Sequence, residues 1–394
     1  MRKLIKDLTE APVSSLIAFL KMSFFLPVFF SYRGKRDATA IEFRQSKPDS
    51  DTLPLLQAAL ANKPGKKILI IADKPKVAAP YVTELNEFLK TDLIEVTSLS
   101  SALKRSRTVF LIDNPNSERL MMRGARFFLR DQKYYRIFHG LITKKTPTEQ
   151  KFEDYMPSRR GGRAFDGVLC QNWIESYRRA YFSGIPVRKT IRVGYPRFYR
   201  APALKDKSAP LLLTEEAQSL IQKPGFKIMY APTRSGSLPA LSGFDEQVLL
   251  QWLEEHNAYL YLKTHVLTKQ IQGFENLGDR VVDLSKVATI GSLDILSCMD
   301  ALITDTSSIM MEGFALDLPV IHSINEDPTV ATAHDVIAFE EHIALPGMRA
   351  YDFNELIEKL NCAKAGDYSN QFAQDVWGLV PEKDIEQAFE RIIR

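Results

Sequence analysis

Cysteine is scarce in this 394-residue chain: Cys170, Cys298 and Cys362 stand far apart and show no CxxC spacing. That argues against a disulfide framework or a structural zinc site and for a reducing compartment. Cys170 and Cys298 lie in the apolar contexts GVLC and ILSCM, as buried free thiols do. No GxGxxG follows the first strand pattern, and GxxxxGK[ST], GxSxG and HExxH are absent. Nicotinamide, P-loop, esterase and zinc-hydrolase chemistry therefore lack their signatures. The DxD-like tripeptide Asp49-Ser50-Asp51 precedes the regular α/β pattern, so it supplies no metal-binding loop. Charge of one sign is also missing: 52 Lys and Arg oppose 48 Asp and Glu, for a net +4. So small an excess suits a phosphate-rich substrate or an anionic lipid surface and points to no nucleic-acid partner. Internal repeats and low-complexity tracts are not found.

A long hydrophobic run is missing too. The apolar stretch 16–30 is interrupted by Lys21 and Pro27 and falls short of the roughly 20 residues a spanning helix needs. Tyr32-Arg33-Gly34-Lys35-Arg36 follows it as a basic cluster of the kind found at lipid headgroups. Residues 1–45 are therefore read as an amphipathic, membrane-associating segment lying in the plane of the bilayer. Two readings compete: a helix packed in the first domain, and a secretory signal that starts at Arg2-Lys3 but lacks a small-residue cleavage site.

What is present is a folded, two-domain composition, 45% hydrophobic and 25% charged. From residue 66 short apolar runs alternate with helical patterns. Strands are expected at 67–72, 93–96, 109–113, 135–138, 167–170 and 190–193, with helices at 81–90 and 118–129. Residues 195–225, with Pro196, Pro202, Pro210 and Pro224, break the rhythm and read as a connection. A second series follows: strands 227–231, 259–263, 280–284, 301–304 and 319–322, and helices 246–255, 292–298 and 308–315. The expected fold is α/β and GT-B-like, with two Rossmann-like, doubly wound parallel-sheet domains facing a central cleft. The boundaries are 46–205 for an N-terminal domain and 206–375 for a C-terminal domain. Residues 376–394 form a C-terminal helix that can return to the N-terminal domain.

Ligands of open α/β sheets bind beyond the carboxyl ends of the strands, so polar residues following apolar runs are the candidates. Thr304-Asp305-Thr306-Ser307-Ser308 leads from a strand into the helix carrying Glu312. Such a turn offers hydroxyls and helix N–H groups to a pyrophosphate; a plain capped helix explains only one or two of its polar residues. Lys263-Thr264-His265 ends another strand and can neutralise a leaving phosphate. His139-Gly140, followed by Lys144 and Lys145, ends a strand of the first domain; an imidazole there has the acidity of a general base. Tyr230-Ala231-Pro232-Thr233-Arg234 ends in a guanidinium suited to phosphate.

In this order the segments resemble the CDP-glycerol glycerophosphotransferase family, the teichoic acid primases and polymerases and their relatives in capsule synthesis. The family pattern is Trp-His-Gly-Thr-Pro-Leu-Lys, Gly-Tyr-Pro-Arg, Ala-Pro-Thr with a following Arg, His-Pro, and Thr-Asp-Tyr-Ser-Ser. The matches are Phe138-His139-Gly140 with Lys144, Gly194-Tyr195-Pro196-Arg197, Ala231-Pro232-Thr233-Arg234, Lys263-Thr264-His265 and Thr304-Asp305-Thr306-Ser307-Ser308, across about residues 105–365. Phe138 replaces Trp, Leu141-Ile142 replace Thr-Pro, Val266 replaces Pro and Thr306 replaces Tyr.

The resemblance implies transfer of glycerol-phosphate, or a related polyol-phosphate, from a CDP-activated donor to a hydroxyl of a lipid-linked or glycan acceptor of the cell envelope. CMP is the leaving group. It implies His139, His265 and Arg234 as catalytic residues, with His139 the base. Thr233, Lys263, Thr304, Asp305, Thr306, Ser307, Ser308 and Glu312 are implied on the donor, Asp305 as a tether of the turn. Gly140, Lys144 and Arg197 are implied on the acceptor side. By the same resemblance 46–205 is the acceptor-side domain and 206–375 the nucleotide-donor-binding domain. No tightly bound cofactor and no protein metal site is expected, and no residue pattern indicates Mg2+. The implied location is the inner face of the cytoplasmic membrane, as a peripheral protein. The alternatives are a GT-B glycosyltransferase using a nucleotide sugar in capsule or O-antigen synthesis, a nucleotide-sugar epimerase of GT-B shape, and a non-catalytic scaffold.

Overall fold

The computed structural model describes residues 36–43, 46–112, 131–138, 165–183, 186–233, 238–263, 274, 278–285, 287, 291–324, 346–379, 381 and 383–394. They form two compact units. Unit 1 holds the described residues up to Pro196 together with Lys383–Arg394, and unit 2 holds those from Arg197 onward. The proline-bearing stretch expected as a connection folds largely inside unit 2, with short helices at Ala201–Lys205 and Glu215–Ile221.

Unit 1 is built on β1 (Ala38–Glu42), β2 (Ile68–Ile71), β3 (Ile94–Thr97), β4 (Ser106–Ile112), β5 (Lys133–Ile137), β6 (Gly167–Cys170) and β7 (Thr190–Arg192). Its sheet order is β3-β2-β1-β4-β5-β6-β7, parallel throughout. The run Ile-Leu-Ile-Ile of β2 is buried at every position, because a parallel strand inside a helix-covered sheet has no solvent face. The segment expected at the membrane, 1–45, is corrected at its end. Ala38–Ile41 are buried in β1, which pairs with β2 on one side and β4 on the other. Small and β-branched residues without alternation are what a strand covered on both faces requires. Residues 1–35, and the helix expected at 118–129, lie outside the described residues.

The last helix, Ile385–Ile393, belongs to unit 1 and packs against the helix Thr52–Asn62. Asn62 Nδ2 donates to the Glu386 carbonyl at 2.9 Å, and the Phe389 ring lies 6.4 Å from that of Phe110 on β4. Neither Thr52–Asn62 nor β1 was expected from periodicity.

Unit 2 is built on β8 (Phe226–Tyr230), β9 (Ala258–Leu262), β10 (Val281–Asp283), β11 (Ala301–Thr304), β12 (Val320–Ser323) and β13 (Met348–Ala350). They form a parallel sheet in the order β10-β9-β8-β11-β12-β13. Tyr230, Leu249, Trp252, Leu260, Ile303, Ile321, Phe353 and Leu356 lie in one buried cluster of this unit. The helix Met310–Ala315 lies close on the sheet through Gly313, where a Cβ would meet Val320 Cγ2 at 2.9 Å and Leu302 Cδ2 at 3.0 Å. Strand order reverses between β1 and β4 in unit 1 and between β8 and β11 in unit 2. In open α/β sheets such switch points receive ligands. Among the described residues, no helix is long and apolar enough to cross a membrane.

Candidate functional site

The carboxyl ends of β8 and β11 flank the unit 2 switch point, and Asp305 ties them together. Its Oδ1 and Oδ2 accept from the Thr233 N–H at 2.9 and 3.0 Å, and Oδ2 also accepts from the Thr233 hydroxyl in a very short bond. Oδ1 further accepts from the Ser307 N–H at 3.1 Å. A carboxylate holding three donors from two strands fixes the turn without pointing its charge at a ligand. The Thr306 hydroxyl oxygen is buried and has no hydrogen-bond partner. At the neighbouring strand end Lys263 donates its N–H to the Tyr230 carbonyl at 2.9 Å, and its Nζ lies 3.4 Å from the Leu284 carbonyl.

Three of the expected site residues make contacts within the fold. Thr304, placed among the donor contacts, is fully buried, and its hydroxyl donates to the Ala231 carbonyl at 2.7 Å. It extends the β8–β11 pairing past the last ladder bond. Glu312, also placed on the donor, is buried with both oxygens engaged: Arg197 Nη1 donates to Oε1 at 2.7 Å and the Ser292 hydroxyl to Oε2 at 2.5 Å. Arg197, placed on the acceptor side, is the buried partner in that ion pair and lies in unit 2. Sequence could not pair Arg197 with Glu312 across 115 positions. The helix also starts later than expected, at Met310, and has no side-chain cap. Its first turn is held by backbone bonds from Met310 to Ser307 and Met311 to Ser308. Among the described residues the Ser307 and Ser308 hydroxyls make no hydrogen bond.

His322, not anticipated by any motif, lies behind this turn. It is fully buried on β12, with Nδ1 2.9 Å from the Asp305 carbonyl oxygen and Nε2 2.9 Å from that of Pro346. Burial pushes its pKa below the ordinary imidazole range, against the two carbonyl contacts, which favour the charged ring.

His139, Gly140, Lys144, Arg234 and His265 lie outside the described residues. Phe138, at the carboxyl end of β5 in unit 1, is described. The Arg179 guanidinium carbon sits 3.3 Å from the Phe138 ring centroid and that of Arg136 4.2 Å. Arg179 is held by Glu175 (Nε 3.1 Å, Nη2 2.9 Å from Oε1), and the Tyr195 hydroxyl donates to the same oxygen at 2.6 Å. The second oxygen, Oε2, accepts from the Gln171 N–H at 2.7 Å, and Gln171 Oε1 accepts from the Tyr195 N–H at 2.8 Å. Glu175, Arg179 and Tyr195 are all buried. Burial, then the Glu175 carboxylate, raises the Tyr195 pKa well above that of a free phenol. Burial works against the Arg179 charge, but Tyr195 and Glu175 outweigh it and the net shift is upward. The i,i+4 spacing of Glu175 and Arg179 was a legible pair signal; their link to Tyr195 was not. All three cysteines are free thiols; Cys170 is buried, whereas Cys298 and Cys362 are partly exposed. Among the described residues no cluster of three or more His, Cys, Asp or Glu is arranged to hold a metal ion.

No curated protein sequence matches the chain. Among solved structures it is similar to the wall teichoic acid polymerase TagF in a CDPG-soaked variant: TM-score 0.69, 15% identity, 100% of this chain and 97% of that chain covered. It is also similar to the UDP-GlcNAc 2-epimerase of Neisseria meningitidis bound to UDP-GlcNAc, with TM-score 0.57, 11% identity and 91% and 98% of the two chains covered. The UDP-GlcNAc 2-epimerase of Methanocaldococcus jannaschii gives TM-score 0.56 at 11% identity, covering 90% and 98%. These likenesses place the two parallel-sheet units in a GT-B-like fold. The model of CDP-glycerol:poly(glycerophosphate) glycerophosphotransferases matches residues 41–393, from β1 to the last helix, so the chain belongs to that family.

Proposed function

We propose that this chain transfers glycerol-phosphate from CDP-glycerol to a hydroxyl of a lipid-linked or glycan acceptor in teichoic acid synthesis, releasing CMP. The observation that carries this reading is the family match, which runs through both units. It favours CDP-glycerol over the nucleotide-sugar alternative. In the proposed step His139 takes the acceptor proton as the hydroxyl oxygen attacks the β-phosphorus of the donor. The bond between that phosphorus and the oxygen of CMP breaks, and charge accumulates on CMP. His265, Arg234 and Lys263 meet that charge, while Thr233, Thr306, Ser307 and Ser308 surround the phosphates from a turn tethered by Asp305.

Incubation with CDP-glycerol and with UDP-GlcNAc, followed by detection of the released nucleotide, tests the donor. CMP is expected, and its absence with every CDP-polyol tried would sink the reading. His139→Ala and His265→Ala should each suppress turnover; unchanged turnover in both would leave a non-catalytic scaffold instead. The same reading attaches the chain to the inner face of the cytoplasmic membrane through residues 1–36, on the strength of the apolar run and its basic flank. Deleting them should move the protein from the membrane to the soluble fraction, and undiminished sedimentation with membranes would eliminate that anchor.

A further inference from the structure

We infer that His322 is a positioning residue for the donor turn, acting through the backbone of Asp305. The inference rests on the donor reading of that turn. Asp305 is held at both ends. Thr233 and Ser307 donate to its carboxylate, and the Nδ1 of His322 reaches its carbonyl at 2.9 Å. The peptide bonds of the described chain are trans, so the carbonyl of Asp305 and the N–H of Thr306 point in opposite directions. Fixing the carbonyl onto the His322 ring therefore fixes the direction in which the Thr306 N–H is presented. His322 is fully buried and the Asp305 carbonyl is half-buried, so losing the ring removes a donor that the fold itself supplies.

The contact to Asp305 requires a proton on Nδ1, because a carbonyl oxygen can only accept. The second contact, Nε2 to the Pro346 carbonyl at 2.9 Å, lies at the segment entering β13 and is a hydrogen bond only when Nε2 also carries a proton, since a neutral ring has a single N–H. The two contacts can be separated by substitution. An asparagine amide nitrogen sits near the place of Nδ1, and a glutamine amide nitrogen near that of Nε2. His322→Asn thus keeps the hold on Asp305, whereas His322→Gln keeps only the one on Pro346.

The experiment is calorimetric titration of the full chain and both variants with CDP-glycerol and with CMP, alongside thermal melting. His322→Gln should bind both ligands about tenfold more weakly, the scale of one net hydrogen bond. His322→Asn should stay within about threefold of the original protein, since it keeps a donor to the Asp305 carbonyl. A merely structural histidine would lower the melting temperature in both variants and leave the two affinities equal. Equal affinities therefore overturn the proposal, as does equal loss in both. Failure of the unaltered protein to bind CDP-glycerol overturns the donor reading and this proposal together, whereas normal binding with no Asn/Gln difference overturns this proposal alone. Should either variant not fold, nitrogen NMR of the unaltered protein decides: Nδ1 of His322 is expected to carry a proton, and a ring protonated only at Nε2 excludes the bond.

Discussion

Asp305→Ala should lower kcat/KM for CDP-glycerol by about 10²–10³, while Asp305→Asn should cost less than about tenfold. The alanine variant strands the Thr233 N–H, the Thr233 hydroxyl and the Ser307 N–H, each of which now donates to the carboxylate. Hydrogen bonds to a charged acceptor are worth about 1.5–3 kcal/mol each, so the three together are worth roughly 4.5–9 kcal/mol, and the expected loss in kcat/KM, about 2.7–4 kcal/mol, is the part that water does not restore. The asparagine variant keeps nearly all of it. Its carbonyl oxygen can take the place of Oδ1 and receive both N–H groups, and its amide can donate to the Thr233 hydroxyl, which also accepts. The charge is dispensable on this account and the acceptor geometry is not. If Asp305 instead met the donor through its charge, for example by holding a cation on the diphosphate, asparagine would be as damaging as alanine. Steady-state kinetics on the two variants separates these outcomes, and equal losses would remove the tether.

Most strands of both units were legible because parallel strands covered on both faces read as unbroken apolar runs. Ile68–Ile71 and Ala301–Thr304 are such runs, and the polar residues that follow Ala301–Thr304 mark the switch point. β1 was missed because Ala38–Glu42 is short and weakly hydrophobic, and it follows a basic cluster that drew the membrane reading over it. The helix Phe353–Ala365 was missed although its signals are present: Asp352 accepts from the Glu355 N–H at 2.9 Å, and Gly366 takes a left-handed conformation at the other end. Within the site, spacing identifies the turn but not which of its residues face inward. Thr304 and Asp305 are neighbours in one polar run, yet the first ends a strand buried at every position and the second is half-buried in the turn that follows. His322 carries no local signal at all, since Val-Ile-His-Ser reads as an ordinary strand and its role depends on a carbonyl 17 positions away.

Unit 1 should lose about 3–5 kcal/mol of stability on Glu175→Ala, the range for removing one partner of a buried ion pair. The glutamate takes bonds from Arg179, Tyr195 and the Gln171 N–H, and the side chain is fully buried. Without it Arg179, the Tyr195 hydroxyl and the Gln171 N–H each lose the bond they make to this carboxylate. Urea unfolding followed by circular dichroism should show a lower midpoint for the transition of this unit with an unchanged slope. Replacing both partners, Glu175→Leu with Arg179→Met, removes the orphaned charge, so the double variant should be more stable than Glu175→Ala alone by about 1–3 kcal/mol. It should not regain the starting value, because the bonds from the Tyr195 hydroxyl and the Gln171 N–H to Glu175 are still lost. Additive losses, or a Glu175→Ala cost below about 1 kcal/mol, would mean that water or another side chain takes over the carboxylate's bonds. The consequence for activity follows from the ring of Phe138, which is stacked beneath the Arg179 guanidinium. Glu175 and the Tyr195 hydroxyl both hold that cation, so Glu175→Ala should loosen the packing of Phe138, the residue immediately before His139 in sequence.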